Sequence, residues 1–494
     1  MQLNRLSDKF VYLNHRFLTI YTTLIDNGKY TAVRYLPGGN SMIRAAFLSI
    51  ISLIVLLAAL SSLQSGYNKY YSTAYALNSS NKQQYVPILR YSNGTEAIAI
   101  RDRHLTVEVV AEGLNLPTTM AFLGPHDILV LEKQRGTVQR IVDGKMLPEP
   151  MLDVNVATQI ERCMCGIAIS HAKGPDNSTT TTPPTYVFLY YTEAAVRDGG
   201  TPIGNRLYRY ELVDNKLVNP TRLLNLPSTP GPRHNGGAII IGPDNNLYVP
   251  IGDVDGHKTQ AENFKNGPQP DGTGGILRIT QDGRVLPDSP LGNTFPLNLY
   301  YAYGIRNSFG IAFDPVTGNL WDTENGPAFG DEINLVQPRF NSGWNKVQGI
   351  WTGEGVGGKL GIAPIQLDTL VDFNGKGKYH PPQFTWNHTV GPTGIAFLNS
   401  DKLGKKYEND MFVGDVHRGN LYHFKLTKDR TDLILKPPLA DKVAYADQDL
   451  QKIIFGTGFG GITDLKIGPY DGYLYVVSIG QGKIFRIIPS GVNR

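Results

Sequence analysis

From about residue 105 the chain keeps returning to one pattern, and that repeat restricts the fold more than any other feature. An apolar strand runs into a turn rich in Gly, Pro, Asp and Asn. A second strand follows, then a Gly-containing turn, then a third strand. Five instances read directly: MAFLGPHDILVLEK with GTVQRIV (120–142), AIIIGPDNNLYVPIGD with GGILRIT (238–280), IAFDPVTGNLWDTEN with DEINLV (311–336), IAFLNS with NDMFVGD and GNLYHFKL (395–426), and LKIGPYDGYLYVVS with GKIFRII (465–488). A sixth, irregular unit, YVFLYYTE with NRLYRYEL (186–212), fits between the first and second. Period-two alternation and short turns mean antiparallel sheet. One small sheet repeated around a ring makes a β-propeller, which protects strand edges by radial repetition. The pattern therefore predicts an all-β fold, a six-bladed β-propeller. A two-sheet sandwich does not account for the recurring turn. Each unit takes about 60 residues, more than a minimal four-stranded blade, so the excess falls in loops. The longest, 253–274, is polar and Gly-rich and is expected to lie over one face, a usual place for a ligand.

Composition agrees. The chain is 41% hydrophobic and 18% charged, which excludes wholesale disorder. Its 54 Gly and 32 Pro follow no G-x-y period and so mark turns, and 26 Tyr with 19 Phe favour strands. A formal charge of +4 is small for 494 residues and gives no reason to expect a nucleic-acid partner.

Ahead of the repeat lies an apolar run, AAFLSIISLIVLLAALSSL, from Ala45 to Leu63. It holds no charge and is close to the roughly 20 residues a helix needs to cross a bilayer. A buried core helix would carry a polar face, and a signal peptide would not begin behind a long polar arm. The run reads as an uncleaved anchor. Arg5, Lys9, Arg16, Lys29, Arg34 and Arg44 precede it against Asp8 and Asp26. The positive-inside bias then puts the N-terminus in the cytoplasm and the rest outside. Sequons at Asn78, Asn93, Asn177 and Asn387 are compatible with that location. The expected organisation is a cytoplasmic basic arm over 1–44, a transmembrane helix over 45–64, a stalk over 65–104 and the propeller over 105–490. The protein would be a single-pass cell-membrane protein with an extracytoplasmic folded domain.

Two stretches carry candidate chemistry. In PGPRHNGGAIIIGPDNNLYVPIGD (230–253), His234 precedes Gly236-Gly237 at a strand entrance, and Asp253 ends the next strand. Glycines let backbone or ligand approach closely, and an imidazole there can take a proton near neutral pH. A loop histidine bonded to backbone is the competing reading. In YGIRNSFGIAFDPVTGNLWDTENGPAFGDEINLVQPRFNSGW (303–344), Arg306-Asn307 supplies a fixed cation and an amide suited to a carboxylate or quinone oxygen. Carbonyls of the Gly326-Pro327 turn suit one cation, and calcium accepts backbone carbonyls readily. Asp331 and Glu332 add negative charge nearby. Turn structure plus a surface carboxylate pair is the alternative.

Cys163 and Cys165 stand two apart at a strand entry. Residues so spaced in a strand point the same way, which makes a disulfide between them awkward. A buried pair of small side chains is expected, since a thiolate metal site would need ligands that are not near in sequence.

In combination, EGLNLPTTMAFL, HNGGAIIIGPDNNLYVPIGD, GIRNSFGIAFDP and ENGPAFGDEINLV resemble the soluble type of pyrroloquinoline-quinone (PQQ)-dependent sugar dehydrogenase. That is the glucose/sorbosone dehydrogenase and aldose sugar dehydrogenase group, and the resemblance spans about 107–488. It implies a six-bladed propeller, PQQ and calcium as cofactors, and a sugar as substrate. By position, His234 matches the base that removes the C1 hydroxyl proton, and Asp253 the carboxylate that holds it. Arg306 and Asn307 match quinone contacts, the carbonyls of Gly326 and Pro327 match calcium ligands, and Glu161 falls at a polar substrate-pocket position. Glu332 is counted with the metal turn. A cation on the quinone oxygens and a base on the hydroxyl fit together as hydride-transfer chemistry.

The chain also departs from that pattern. His417 stands where the glucose enzymes place a lysine, with Arg418 beside it as a substitute cation. Two arginines that hold the cofactor carboxylates there fall here at about Gly461 and Thr463. Charge-assisted contacts of that kind contribute about 1.5 to 3 kcal/mol each. Two other functions stay open: a non-catalytic calcium-binding propeller that binds glycan or protein, and a calcium-dependent lactonase or esterase. The sequence does not name the external electron acceptor.

Overall fold

The computed structural model describes residues 21–26, 29–34, 97–171, 184–352 and 367–491. The chain divides into two compact units, Met1–Val86 and Pro87–Arg494. In the first, Tyr21–Asp26 pairs antiparallel with Lys29–Arg34, Tyr21 opposite Arg34. This hairpin falls within the stretch read as a basic arm, and the Asn27-Gly28 pair between its strands is the sequence signal for it. The apolar run 45–64 lies outside the described residues. Among the described residues no helix is long and apolar enough to cross a membrane.

In the second unit each of the five regular sequence repeats becomes three antiparallel strands of one sheet, and the irregular one supplies the two middle strands of a four-stranded sheet. The described residues form an all-β, propeller-like arrangement with six sheets of four or more strands. The first holds Pro117–Gly124, Asp127–Glu132 and Thr137–Val142. The second holds Met164–His171, Thr185–Ala194, Pro202–Val213 and Lys216–Leu226. The third is built on Ile240–Ile241, Leu247–Ile251, Gly275–Ile279 and Tyr300–Tyr303, and the fourth on Ser308–Phe313, Leu320–Glu324 and Asp331–Val336. The fifth is built on Pro392–Phe397, Met411–Asp415 and Leu421–Phe424, and the sixth on Ile462–Ile467, Leu474–Ser478 and Lys483–Pro489. Inner strands of successive sheets touch in turn, and the sixth sheet returns to the first.

The repeated turn has a repeated cause. Asp244 accepts the N–H of Asn246 and then takes the Arg278 guanidinium, with Nε 2.8 Å away. Asp471 does the same with Tyr473 and Arg486, and Asp127 meets Arg140. A turn carboxylate thus folds back on its own backbone and is tied to the third strand of the same sheet. The apolar residues of each sheet face its neighbours. Six buried clusters result, one between each adjacent pair of sheets around the ring.

Two expectations need correction. Residues 99–104 are not stalk. Ala99–Ile100 pairs with Ile454–Thr457 at the edge of the fifth sheet, and Asp102 reaches Lys406 at 2.6 Å and the Tyr407 hydroxyl at 2.9 Å. The apolar alternation of Ile98 and Ile100 is enough for an edge strand. Cys163 and Cys165 do form a disulfide, with Cα atoms 5.3 Å apart. Cys163 precedes the strand Met164–His171, and the ladder carries a bulge between Met164 and Gly166. The regular alternation that would keep the two side chains parallel is broken there.

Candidate active site

His234 sits in the link between the second and third sheets, in the left-handed region at φ 59°. The two glycines after it explain why this loop is written His-Asn-Gly-Gly. A Cβ on Gly236 would lie 2.3 Å from the Pro250 carbonyl oxygen, and one on Gly237 would lie 2.1 Å from that of Phe309. The loop is pressed against both the third and the fourth sheet. This fixes His234 near Asp253, which stands two residues after the end of the third-sheet strand Leu247–Ile251.

The imidazole Nδ1 is 2.5 Å from Asp253 Oδ1. Asp253 Oδ1 also accepts the Asp255 N–H at 3.0 Å, and Oδ2 accepts the Trp344 indole N–H at 2.8 Å. His234 and Asp253 are 5% and 2% exposed, so the pair works almost without water. Burial alone would raise the Asp253 carboxyl pKa. The charge and hydrogen bond of His234, the charge of Arg306 and the Trp344 donor outweigh it and hold the carboxyl below its usual range. An ionised Asp253 favours a proton on the Nδ1 of His234 that faces it.

Arg306 and Asn307 enter the strand Ser308–Phe313 of the fourth sheet. The Arg306 N–H donates to Glu324 Oε1 at 2.7 Å, and its carbonyl accepts the Asp253 N–H at 2.9 Å. Its Nη1 donates to the carbonyls of Asn325 (2.7 Å) and Gly326 (2.9 Å), and the guanidinium lies 5.4 Å from the centre of the Trp344 ring. Asn307 Oδ1 accepts the Gly236 N–H at 3.4 Å. His234, Asp253, Arg306, Asn307, Trp344 and Gly326 therefore belong to one network. Trp344 joins this network from outside the expected site residues. It stands 91 positions after Asp253, and only its place in a Gly turn, FNSGW, hints at it.

The other expected residues take the following places. Glu161 accepts the His234 backbone N–H at 2.7 Å, so it lies beside His234 and braces its loop. Glu332 does not join Gly326 and Pro327. Strand alternation turns it to the face opposite Asp331, and its oxygens accept from Gln348, the Gly349 N–H, Asn334 and Ser342. Burial pushes its pKa up to about 8. Asp331 instead braces the turn: Oδ1 accepts the Gly326 N–H at 2.8 Å, and Oδ2 accepts from Thr389, Val390 and Gly391. On the fifth sheet the His417 N–H donates to the Val390 carbonyl, and Arg418 pairs with Asp447 at 2.8 Å on the exposed surface. Thr463 Oγ donates to the Pro117 carbonyl at 3.0 Å.

The residues present fit the implied groups in part. Arg306 Nε is buried and has no hydrogen-bond partner among the described residues. The carbonyls of the Gly326-Pro327 turn are hard oxygen donors of the kind calcium takes, but that of Gly326 here accepts from the Arg306 guanidinium at 2.9 Å. No group of three or more His, Cys, Asp or Glu side chains among the described residues is set to hold a metal.

The described ring of sheets thus buries an imidazole–carboxylate pair beside a guanidinium with one unpartnered N–H. The chain belongs to the glucose/sorbosone dehydrogenase family, whose sequence profile matches residues 114–486. It is 26% identical over 391 residues to the aldose sugar dehydrogenase YliI of Escherichia coli (strain K12), covering 78% of this chain and 93% of that one. It is 34% identical over 275 residues to quinoprotein glucose dehydrogenase B of Acinetobacter calcoaceticus, covering 45% of this chain and 56% of that one. The fold resembles that of the PQQ-bound aldose sugar dehydrogenase of Streptomyces coelicolor, with a TM-score of 0.54 at 23% identity over 79% of this chain and 99% of that one.

Proposed function

We propose that this chain is a quinoprotein that oxidises the C1 hydroxyl of aldoses, or related alcohols and aldehydes, with PQQ and calcium. In this reading the six sheets are the six blades of one propeller. The run 45–64 anchors it in the cell membrane with the folded domain outside. Family membership and the names of its relatives support the reaction class. The observation that carries it is the buried His234–Asp253 pair set beside the unpartnered Nε of Arg306.

When bound, the quinone would supply the hydride acceptor and calcium would polarise it. The rest is done by the chain. Nε2 of His234 takes the hydroxyl proton. Asp253 holds the imidazole in the tautomer that can do so and stabilises the imidazolium that forms. Arg306 meets negative charge on an oxygen with an unused donor. The Gly326 and Pro327 carbonyls would face calcium.

The test is a titration of the full chain with PQQ in the presence of calcium, following the thermal midpoint and dye reduction across a panel of aldoses. A saturable rise in midpoint with turnover, lost in His234→Ala, is the expected result. A midpoint that answers to calcium and not to quinone would sink the reading. It would favour a calcium-binding propeller instead, in keeping with Arg418 tied to Asp447 and a threonine at 463. Protease accessibility of the folded domain in intact cells tests the location.

A further inference from the structure

We propose that the turn 159–165 is the element that positions His234, with Arg162 as its positioning residue; the proposal rests on the reading of His234 as the base. The turn is fixed from two sides. Ile160 sits at φ 54°, a conformation that β-branched residues rarely adopt. Its carbonyl and that of Arg162 both accept from the buried ammonium of Lys133, at 2.9 and 3.1 Å. The far end is closed by the Cys163–Cys165 disulfide. There the Cys163 carbonyl accepts the Thr192 N–H at 3.0 Å, and the Met164 carbonyl accepts the Thr118 hydroxyl at 2.6 Å.

What the turn presents is aimed at one segment, 228–234. Arg162 Nη2 donates to the carbonyls of Ser228 (2.7 Å) and Gly231 (2.5 Å). The Glu161 N–H donates to the Pro232 carbonyl at 3.3 Å, and its carboxylate accepts the His234 N–H at 2.7 Å. That segment contains no strand of its own, and it ends in the left-handed His234. Such a conformation persists only where the surroundings over-determine it. Arg162 is 4% exposed. Burying a guanidinium costs desolvation that an apolar side chain of the same length would not incur. Here the compensation is a fan of carbonyl contacts that sets the path of the chain into the base.

The experiment reads carbethoxylation of His234 by diethylpyrocarbonate, followed by peptide mass spectrometry on the full chain without quinone or sugar. In Arg162→Met, and separately in the double variant C163S/C165S, the His234 rate should rise by at least about fivefold, the size of a local opening that costs about 1 kcal/mol less. His423, held by Asp410 on the far fifth sheet, should keep its rate. Arg162→Lys should recover part of the protection. In enzyme loaded with quinone, Arg162→Met should lower kcat and leave KM close to wild type. An unchanged His234 rate in both variants would overturn the proposal, and so would His234 and His423 accelerating together. The modification rate needs no turnover, so failure of the dehydrogenase reading would show separately, as a wild type that does not oxidise sugars.

Discussion

Asp253 is a carboxylate held below its usual pKa range in an almost dry place, and in the proposed reaction this decides which nitrogen of His234 acts. Replacing it with Asn keeps the shape and lets the imidazole choose the wrong tautomer. Asp253→Asn should lower kcat by about 10³- to 10⁴-fold with a nearly unchanged thermal midpoint, checked by steady-state dye reduction beside calorimetry. Trp344→Phe removes one donor from the same carboxylate and should cost about tenfold in kcat/KM. At this scale the sequence was readable where chemistry and backbone need coincide: His234, Gly236 and Gly237 stand together because the loop must approach two sheets. It was not readable where partners come from distant parts of the chain, as Trp344 does. Nor does spacing show that Arg418 spends its charge on Asp447.

The loop 253–274 is a polar, Gly-rich link in the sequence and a buried acid in the structure. Glu262 ends the short 3-10 turn Gln260–Glu262 and is fully buried. Burial, with the charge of Asp253 adding to it, pushes its pKa up to about 9. The folded chain therefore holds a proton there that the unfolded chain releases above pH ~4.5, so this group's contribution to stability falls as pH rises from about 4.5 to 9. Glu262→Gln should flatten that slope: urea midpoints at pH 5, 7 and 9 should show the variant gaining on wild type as pH rises. Gly237→Ala should cost about 2 kcal/mol or more, because the added carbon meets Phe309 backbone, which has no rotamer to yield. A urea midpoint within error of wild type would contradict that packing. The disulfide at Cys163 and Cys165 escaped the sequence because a bulge, not a regular strand, carries it.

The ring is closed by its ends. The strand Leu105–Glu112 pairs antiparallel with Lys483–Pro489, Leu105 opposite Pro489, so the sixth sheet is made from both termini of the folded unit. Arg486 locks the join, donating to Glu108 and to Asp471 at 2.7 Å. A chain beginning at residue 113 should therefore lose its cooperative thermal transition and aggregate, whereas one beginning at residue 97 should remain monodisperse by light scattering. The repeat, its turn aspartates and the class of sheet were legible in one dimension, because strand alternation and turn chemistry are local and recur in register with the chain. Which strands close the ring, which carboxylates burial pushes up and which cations are spent on carboxylates were decided only by three-dimensional packing. Burial and partner choice depend on residues brought together across hundreds of positions, and no local pattern encodes them.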